Sequence, residues 1–305
     1  MCLACACWAN DRGIEGVGGS FQLLQGEHSS IQMVSEDVRL DVRGRLVFTA
    51  AQFEFANHGS QAEVDMGFPE SGHGDIDTGR LQKASAFLAF ASLVDGIPAE
   101  CRRVFVKEDP DRETYTAHWV KHVSFAPGAR RSIRVEYVAT AGTIAGGQHF
   151  AEYRFSGGNW QGKVRQSNIQ VSIEPADYKL SEDNRQRWRR NRNRLAMSIS
   201  DWQAEEWVSV VYEPGVQGYL CPNSDRMALT DADLKGRSAR HLTLMRNEIY
   251  ARFGRPFHDP QVRAYFQAQP WYREFPGYRD QLVSRACEKN ARIISAYQTR
   301  HKLNW

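Results

Sequence analysis

The first two thirds of the chain alternate. In "RLVFTAAQFEF" apolar side chains recur at Leu46, Phe48 and Ala50 and again at Phe53 and Phe55, and "AEVDMGF" repeats the pattern at Val64, Met66 and Phe68. "RSIRVEYVA" supplies Ile133, Val135 and Tyr137, and "SNIQVSI" supplies Ile169, Val171 and Ile173. Successive side chains of a strand point to opposite faces, so alternation over about five to eight residues predicts strands with one buried face. The intervals "NHGS", "ESGHGDIDTG", "KEDPDRE", "APGAR" and "SGGNW" are turn-rich. Many short strands at such spacing predict an antiparallel, sandwich-like domain over residues 10–214, which "EEWVSVVYEP" closes as a last strand. "LQKASAFLAFASLVDG" fits a short helix or a buried strand equally well.

From about Lys235 the period changes. Leu242, Met245, Ile249 and Phe253 fall on one face of an amphipathic helix. Gly254 suits a left-handed position beyond its end, and Pro256 cannot continue it. Asp259 is placed to cap a second helix with Pro260 in its first turn, carrying Val262, Tyr265 and Phe266. A third helix is expected to bury Leu282, Ala286, Asn290, Ile293 and Tyr297. The expected organisation is multidomain: a mainly antiparallel β domain, a linker over 215–234, and a small all-α module over 235–305.

Charge divides along the same line. Residues 235–305 hold 14 Lys+Arg against 5 Asp+Glu, a net of +9, whereas the preceding 234 residues carry a net of −6. A basic module on an acidic body implies an anionic partner such as a wall polymer, a lipid surface or nucleic acid; a merely solvated face is the plain alternative. With 42% hydrophobic and 25% charged residues the composition is that of a globular protein. No apolar run reaches the length of about 18 residues that a membrane-spanning helix needs.

The opening "MCLACACWAND" reads at residues 1–9 as the end of a signal peptide cleaved after Ala9, with the basic and most of the apolar portion lying upstream. Export to the periplasm or the extracellular space is therefore expected, with a lipoprotein as the variant if the true start lies further upstream. In such a compartment Cys101 could pair with Cys221, although spacing does not fix the pairing among Cys101, Cys221 and Cys287.

Two stretches invite sharper chemistry. "HGDIDTG" sets His73, Asp75 and Asp77 at alternate positions, an incomplete ligand set for a closed metal site and equally the composition of a polar turn. "RQRWRRNRNR" brings Arg185, Arg187, Trp188, Arg189 and Arg190 together, an excursion between strands that could bind an anionic envelope polymer or be a solvated basic loop. One aromatic makes a poor stacking platform, so nucleic acid is the weaker reading. The chain contains no G-x-S-x-G, H-E-x-x-H or Walker loop, and no cofactor is implied.

Two resemblances add to this. Gly16 to Val42 and Tyr153 to Ile173 resemble the opening and late strands of an uncharacterised secreted bacterial β-domain family. The match covers roughly residues 9–213: Ala9–Asp11, then Gly18 and Gly19, then the Ile-x-Met-x-x-Glu-Asp pattern at Ile31, Met33, Glu36 and Asp37. It implies export and a sandwich-like fold and carries no activity. "LMRNEIYARFGRPF", "VRAYFQAQPWY" and "CEKNARIIS", over about residues 240–298, resemble the YARHG domain, a small helical module of secreted and envelope-linked bacterial proteins, sometimes found beside peptidoglycan-processing domains. That resemblance assigns signature positions to Arg246, Asn247, Tyr250, Ala251, Arg252 and Gly254, with Trp271 and Tyr272 in the aromatic block, and puts Phe253 where the signature has His. Phe253 can be neither acid, base nor metal ligand, and it extends the stripe begun by Leu242. The motif therefore reads as a folding signature, with Arg246 and Asn247 either binding a ligand or satisfying buried groups such as Asn290. The resulting expectation is a non-catalytic exported envelope protein that contacts an anionic polymer through its basic module. A hydrolase with a site assembled from distant residues is the alternative.

Overall fold

The computed structural model describes residues 16–24, 30–73, 85–109, 114–144, 147–157, 160–182, 184, 188–303 and 305. Residues 1–9, Asp75, Asp77, Arg185 and Arg187 lie outside this set, as does the side chain of His73.

Two mixed, mainly antiparallel sheets face each other across residues 17–213. Among the described residues the first has nine strands, its main path running Lys179–Leu180, Glu206–Glu213, His149–Phe155, Val17–Gly19, Ala62–His73, Thr114–Phe125 and Arg102–Asp109. The second has eight, in the order Arg189–Asn191, Arg194–Trp202, Val164–Glu174, Ile31–Arg43, Leu46–Asn57, Arg130–Thr140, Ala89–Val94 and Ile97–Pro98. Among the described residues parallel pairing occurs twice, between Val17–Gly19 and His149–Phe155 and between Ile31–Arg43 and Val164–Glu174. The ambiguous "AFASLV" is thus a strand.

The alternating residues fill the space between the sheets. Phe21 sits at the centre, with its ring edge-on to Phe53 at 4.9 Å and to Phe68 at 5.4 Å. In the strand Leu46–Asn57 the inward face is Val47, Thr49, Ala51, Phe53 and Phe55, in register with Val42, Leu40, Val38, Glu36 and Met33. The expected inward set Leu46, Phe48 and Ala50 therefore faces the other way. Leu46 is nonetheless buried, because Phe275 of the helical module covers it together with Val138.

The family pattern in the first strands has a geometric cause. A Cβ on Gly18 would lie 2.6 Å from the Tyr137 hydroxyl, and one on Gly19 would lie 2.5 Å from the Arg154 carbonyl. Only glycine permits those approaches. The two residues between Met33 and Glu36 coincide with a register shift between Met33 and Ser35. Such a bulge changes the phase of the strand, so Glu36 joins Ile31 and Met33 in the interior.

The C-terminal module contains α1 (Asp231–Leu234), α2 (Ala239–Ala251), α3 (Pro260–Gln267) and α4 (Arg285–His301). Ser238 caps α2, and Asp259 caps α3 by accepting the Gln261 and Val262 amides at 2.9 Å. Gly254 has φ +79°, and a Cβ there would also strike Phe275 at 2.7 Å. Leu242, Met245, Ile249 and Phe253 are buried against α4 as the period predicts. The buried face of α4 is Cys287, Asn290, Ala291, Ile294, Tyr297 and Gln298, because Ser284 starts the helix. Leu282 precedes it in a short 3-10 turn, and Ala286 is exposed.

Residues 215–234, expected as a linker, send Leu220, Cys221, Leu229 and Leu234 into the same helical core. Cys101, Cys221 and Cys287 are all free thiols, so the Cys101–Cys221 pairing that export would have allowed is not made; Cys221 belongs to the helical core, whereas Cys101 lies beside the sandwich strand Arg102–Asp109. No described helix is long and apolar enough to cross a membrane.

Candidate functional site

The signature stretch of α2 points largely inward. Arg252 and Glu248 stand one turn apart and pair in full burial. Glu248 also accepts the Leu220 amide at 2.6 Å and the Cys221 amide at 3.1 Å. Arg252 donates to the Cys221 carbonyl at 2.8 Å and to Ser224 Oγ at 3.2 Å, while its guanidinium covers the Tyr219 ring at 4.2 Å. The pair thereby fixes the loop that precedes the helices. Burial opposes the charge on Arg252, but Glu248 outweighs it and holds the guanidinium above its ordinary pKa. Burial, with Glu248 adding to it, pushes the Cys221 thiol up to about 12.

The other signature residues mostly serve the same packing. Phe253 is 4% exposed and Trp271 1%. Trp271 meets Tyr219 edge-on at 4.9 Å, and the Tyr272 hydroxyl donates to the Arg255 carbonyl at 2.7 Å. Arg246, Asn247 and Tyr250 are half-buried. Asn247 Nδ2 bonds the Thr243 carbonyl at 2.9 Å, and Arg255 lies over the Tyr250 ring. Asn290 takes none of these as partners. It donates to the Ser224 and Met227 carbonyls and accepts the Leu229 amide at 2.8 Å, closing the pre-helical loop from the other side.

Backbone geometry joins module and sandwich. The Arg45 amide donates to the Arg252 carbonyl at 2.8 Å, and Gly44 (φ +59°) lies so close that a Cβ would sit 2.7 Å from that oxygen. Beside this joint Arg45 bonds His149 and Thr143 Oγ1 and faces Asp225 at 4.0 Å. A cavity of about 30 Å³ remains there, room for little more than a water molecule. Burial, reinforced by Arg45, Arg226 and Arg252, holds His149 well below its usual pKa, so its ring is neutral. On the sheet surface Arg273 packs over Phe48 at 4.0 Å and pairs with Asp41 at 3.4 Å, and Arg43 donates to the Pro270 carbonyl at 2.5 Å.

The cations left outside are Lys235, Arg240, Arg263, Arg279, Arg285, Lys289, Arg292, Arg300 and Lys302. Some make surface pairs, such as Arg263 with Glu274 and Arg300 with Asp231. The arginine-rich stretch lies on a different body. Arg189 and Arg190 sit in the edge strand Arg189–Asn191, paired with Arg194–Trp202, and Arg190 covers the Tyr178 ring at 4.5 Å. Trp188 packs against the sandwich core and is not presented for stacking.

Three buried polar groups escaped sequence reasoning. Glu36 accepts from Ser20 Oγ at 2.7 Å and from the Tyr153 hydroxyl at 2.5 Å; burial pushes its carboxyl up to about 8 against those bonds. Glu70 accepts from Ser85, Tyr115, Trp119 and Arg103 at 2.6–2.8 Å. Burial raises its pKa, but Arg103, Ser85 and Tyr115 outweigh that and hold it below the usual carboxylate range. Lys121 bonds Ser92 Oγ and stands 4.2 Å over the Phe21 ring, and burial lowers its amine to about 8. Only Glu36 left a trace in the sequence, as the phase break in its strand. Among the described residues no cluster of three or more His, Cys, Asp or Glu could hold a metal.

The fold is thus a two-sheet β domain with a helical module fixed to one outer face. Residues 217–299 match the YARHG domain, a range that begins at the loop held by Glu248 and Arg252 rather than at the first long helix. Across both parts the fold resembles that of a Legionella pneumophila protein described as a "putative nutrient binding protein". That match has 20% identity and a TM-score of 0.57, covering 94% of this chain and 99% of that one. A Deinococcus radiodurans M1 zinc metallopeptidase (10% identity, TM-score 0.24, 56% of this chain and 39% of that one) is a weaker likeness. So is yeast LTA4 hydrolase (8%, 0.28, 57% and 28%). No curated protein matches by sequence.

Proposed function

We propose that this is a non-catalytic binding protein of the bacterial cell envelope, and that the exterior of its helical module holds an anionic wall or surface polymer. The observation that carries this reading is the sorting of charge within the module. One signature arginine, Arg252, is consumed by Glu248 inside, while Arg263, Arg279, Arg285, Lys289 and Arg292 remain outside. Exposed cations attract a polyanion over roughly a Debye length of ~10 Å, and salt screens that attraction. The description of the Legionella protein names binding, which accords with a binding role here.

The test is co-sedimentation of the full chain with isolated peptidoglycan at low and high salt. The protein is expected to pellet at low salt and to be released at high salt. Replacing Arg263, Arg279 and Arg285 together with Glu should abolish pelleting without moving the thermal transition. Pelleting that neither salt nor charge reversal weakens would remove the helical exterior from the account.

A further inference from the structure

The second sheet has an outer face, and the helical module covers only the end of it around Leu46, Phe48 and Val138. Beyond that wall lies an open groove of about 400 Å³, floored by the sheet and lined by Asp37, Arg39, Ala50, Gln52, Arg134 and Gln170 among others. Strand register arranges these residues in rows. One row crosses the sheet as Ser198, Asn168, Asp37, Gln52 and Arg134. The next runs Ala196, Gln170, Arg39, Ala50 and Glu136. Neighbouring strands are ~4.8 Å apart, so the first row offers a polar group at every step and the second at three of its five.

Most of these side chains are already held in place. Ser198 Oγ donates to Asn168 Oδ1 at 2.8 Å, and Asn168 Nδ2 donates to Asp37 Oδ1 at 2.7 Å. Gln52 Nε2 donates to Ser132 Oγ at 2.6 Å, which donates to Glu54 at 2.8 Å, and Arg134 pairs with Glu136 at 2.6 Å. Arg39 and Gln170 are different. They are neighbours in register beside the short Ala50, and among the described residues neither has a hydrogen-bond or ion-pair partner. The groove therefore presents a guanidinium fork and a free amide on a fixed polar floor, so the ordering cost of binding falls on those two side chains alone.

The chemistry of the lining selects the occupant. Arg39 and Arg134 are matched by Asp37 and Glu136, so the face has no net charge to draw a polyanion. No aromatic side chain lines the groove, so a nucleobase has nothing to stack on. Alternating forks, carboxylates and amides suit a ligand with closely spaced hydroxyls that both donate and accept. We infer that this groove is a binding site for a neutral saccharide, contacted by Arg39, Gln170 and Gln52 over the Ala50 floor. The site is separate from the cationic helices and does not rest on the reading given for them.

Isothermal titration of the full chain with maltotetraose, cellotetraose and chitotetraose tests it, with tetragalacturonate as the acidic comparison. At least one neutral sugar is expected to bind. Arg39→Ala should weaken it by at least ~10-fold, as expected for a lost hydrogen bond to a charged group. Ala50→Tyr should fill the floor and abolish binding, and both variants should melt as the parent does. The Arg263, Arg279 and Arg285 charge reversal should leave sugar binding unchanged. Absence of binding by all three neutral sugars would overturn the inference, as would affinities unmoved by both groove variants. Binding of tetragalacturonate alone, lost on charge reversal of the helices, would assign saccharide recognition to the module instead.

Discussion

Arg252 reaches back one turn of α2 to Glu248, and neither side chain retains appreciable contact with water, at 3% and 0% exposure. Removing one partner of such a pair leaves an uncompensated buried charge. Glu248→Ala and Arg252→Ala should each cost about 3–5 kcal/mol, read as a lowered denaturant midpoint. Arg252→Lys should recover only part of the loss, because an ammonium cannot serve Glu248, Cys221 and Ser224 with one rigid fork.

Phe253 should behave as a packing residue. Phe253→Ala should destabilise the module by about 3–5 kcal/mol, a large share of a small domain's stability. Thermal melting read alongside peptidoglycan pelleting separates packing from binding. An unmoved melt with lost pelleting would contradict the packing role.

Glu36 gives stability a pH dependence of known sign. Its carboxyl titrates at about 8 in the folded chain against an ordinary value of 4.5, so between those values the folded state holds the extra proton. Its contribution is complete below about pH 4.5 and is lost as pH rises through 8. Glu36→Gln should flatten the fall, measured as the denaturant midpoint across that range.

Lys121 acts in the next window with the opposite slope. Burial lowers its amine from 10.5 to about 8, so between those values the unfolded chain binds more protons and stability rises with pH. Together the two groups place a local minimum of stability near pH 8. Lys121→Met should raise the midpoint there, since a methionine carries no charge to desolvate. An unchanged or lower midpoint would show that the Ser92 bond and the Phe21 contact outweigh burial.

Alternation and helical period made the strands and α2 legible, because each records one element's own buried face. What they missed depends on other elements. Leu46 and Phe48 look like sandwich core in the sequence because burial under a docked module leaves the same apolar trace. Residues 215–234 lack a period, yet Cys221 and Leu234 are core; Glu248 and Arg252 order the loop from outside it. The buried face of α4 differs from the expected one because the helix starts only at Ser284, after Leu282. The signature residues were visible as a motif, but their direction was not, since Arg252 finds Ser224 across 28 residues. Glu70 gathers partners from Ser85, Arg103, Tyr115 and Trp119, and the Arg39–Ala50–Gln170 groove arises from register alone, so no local pattern marks either.

The bond from Arg45 to the Arg252 carbonyl, with Gly44 pressed against it, has a consequence for any long ligand. It holds the cationic helices and the polar sheet rows a set span apart. A chain gripped by the first surface would meet the second at a high effective concentration, provided it is long enough to reach. A fragment shorter than the span would gain nothing from the second grip. If both proposed surfaces bind, ligand length, and not composition alone, would set the affinity.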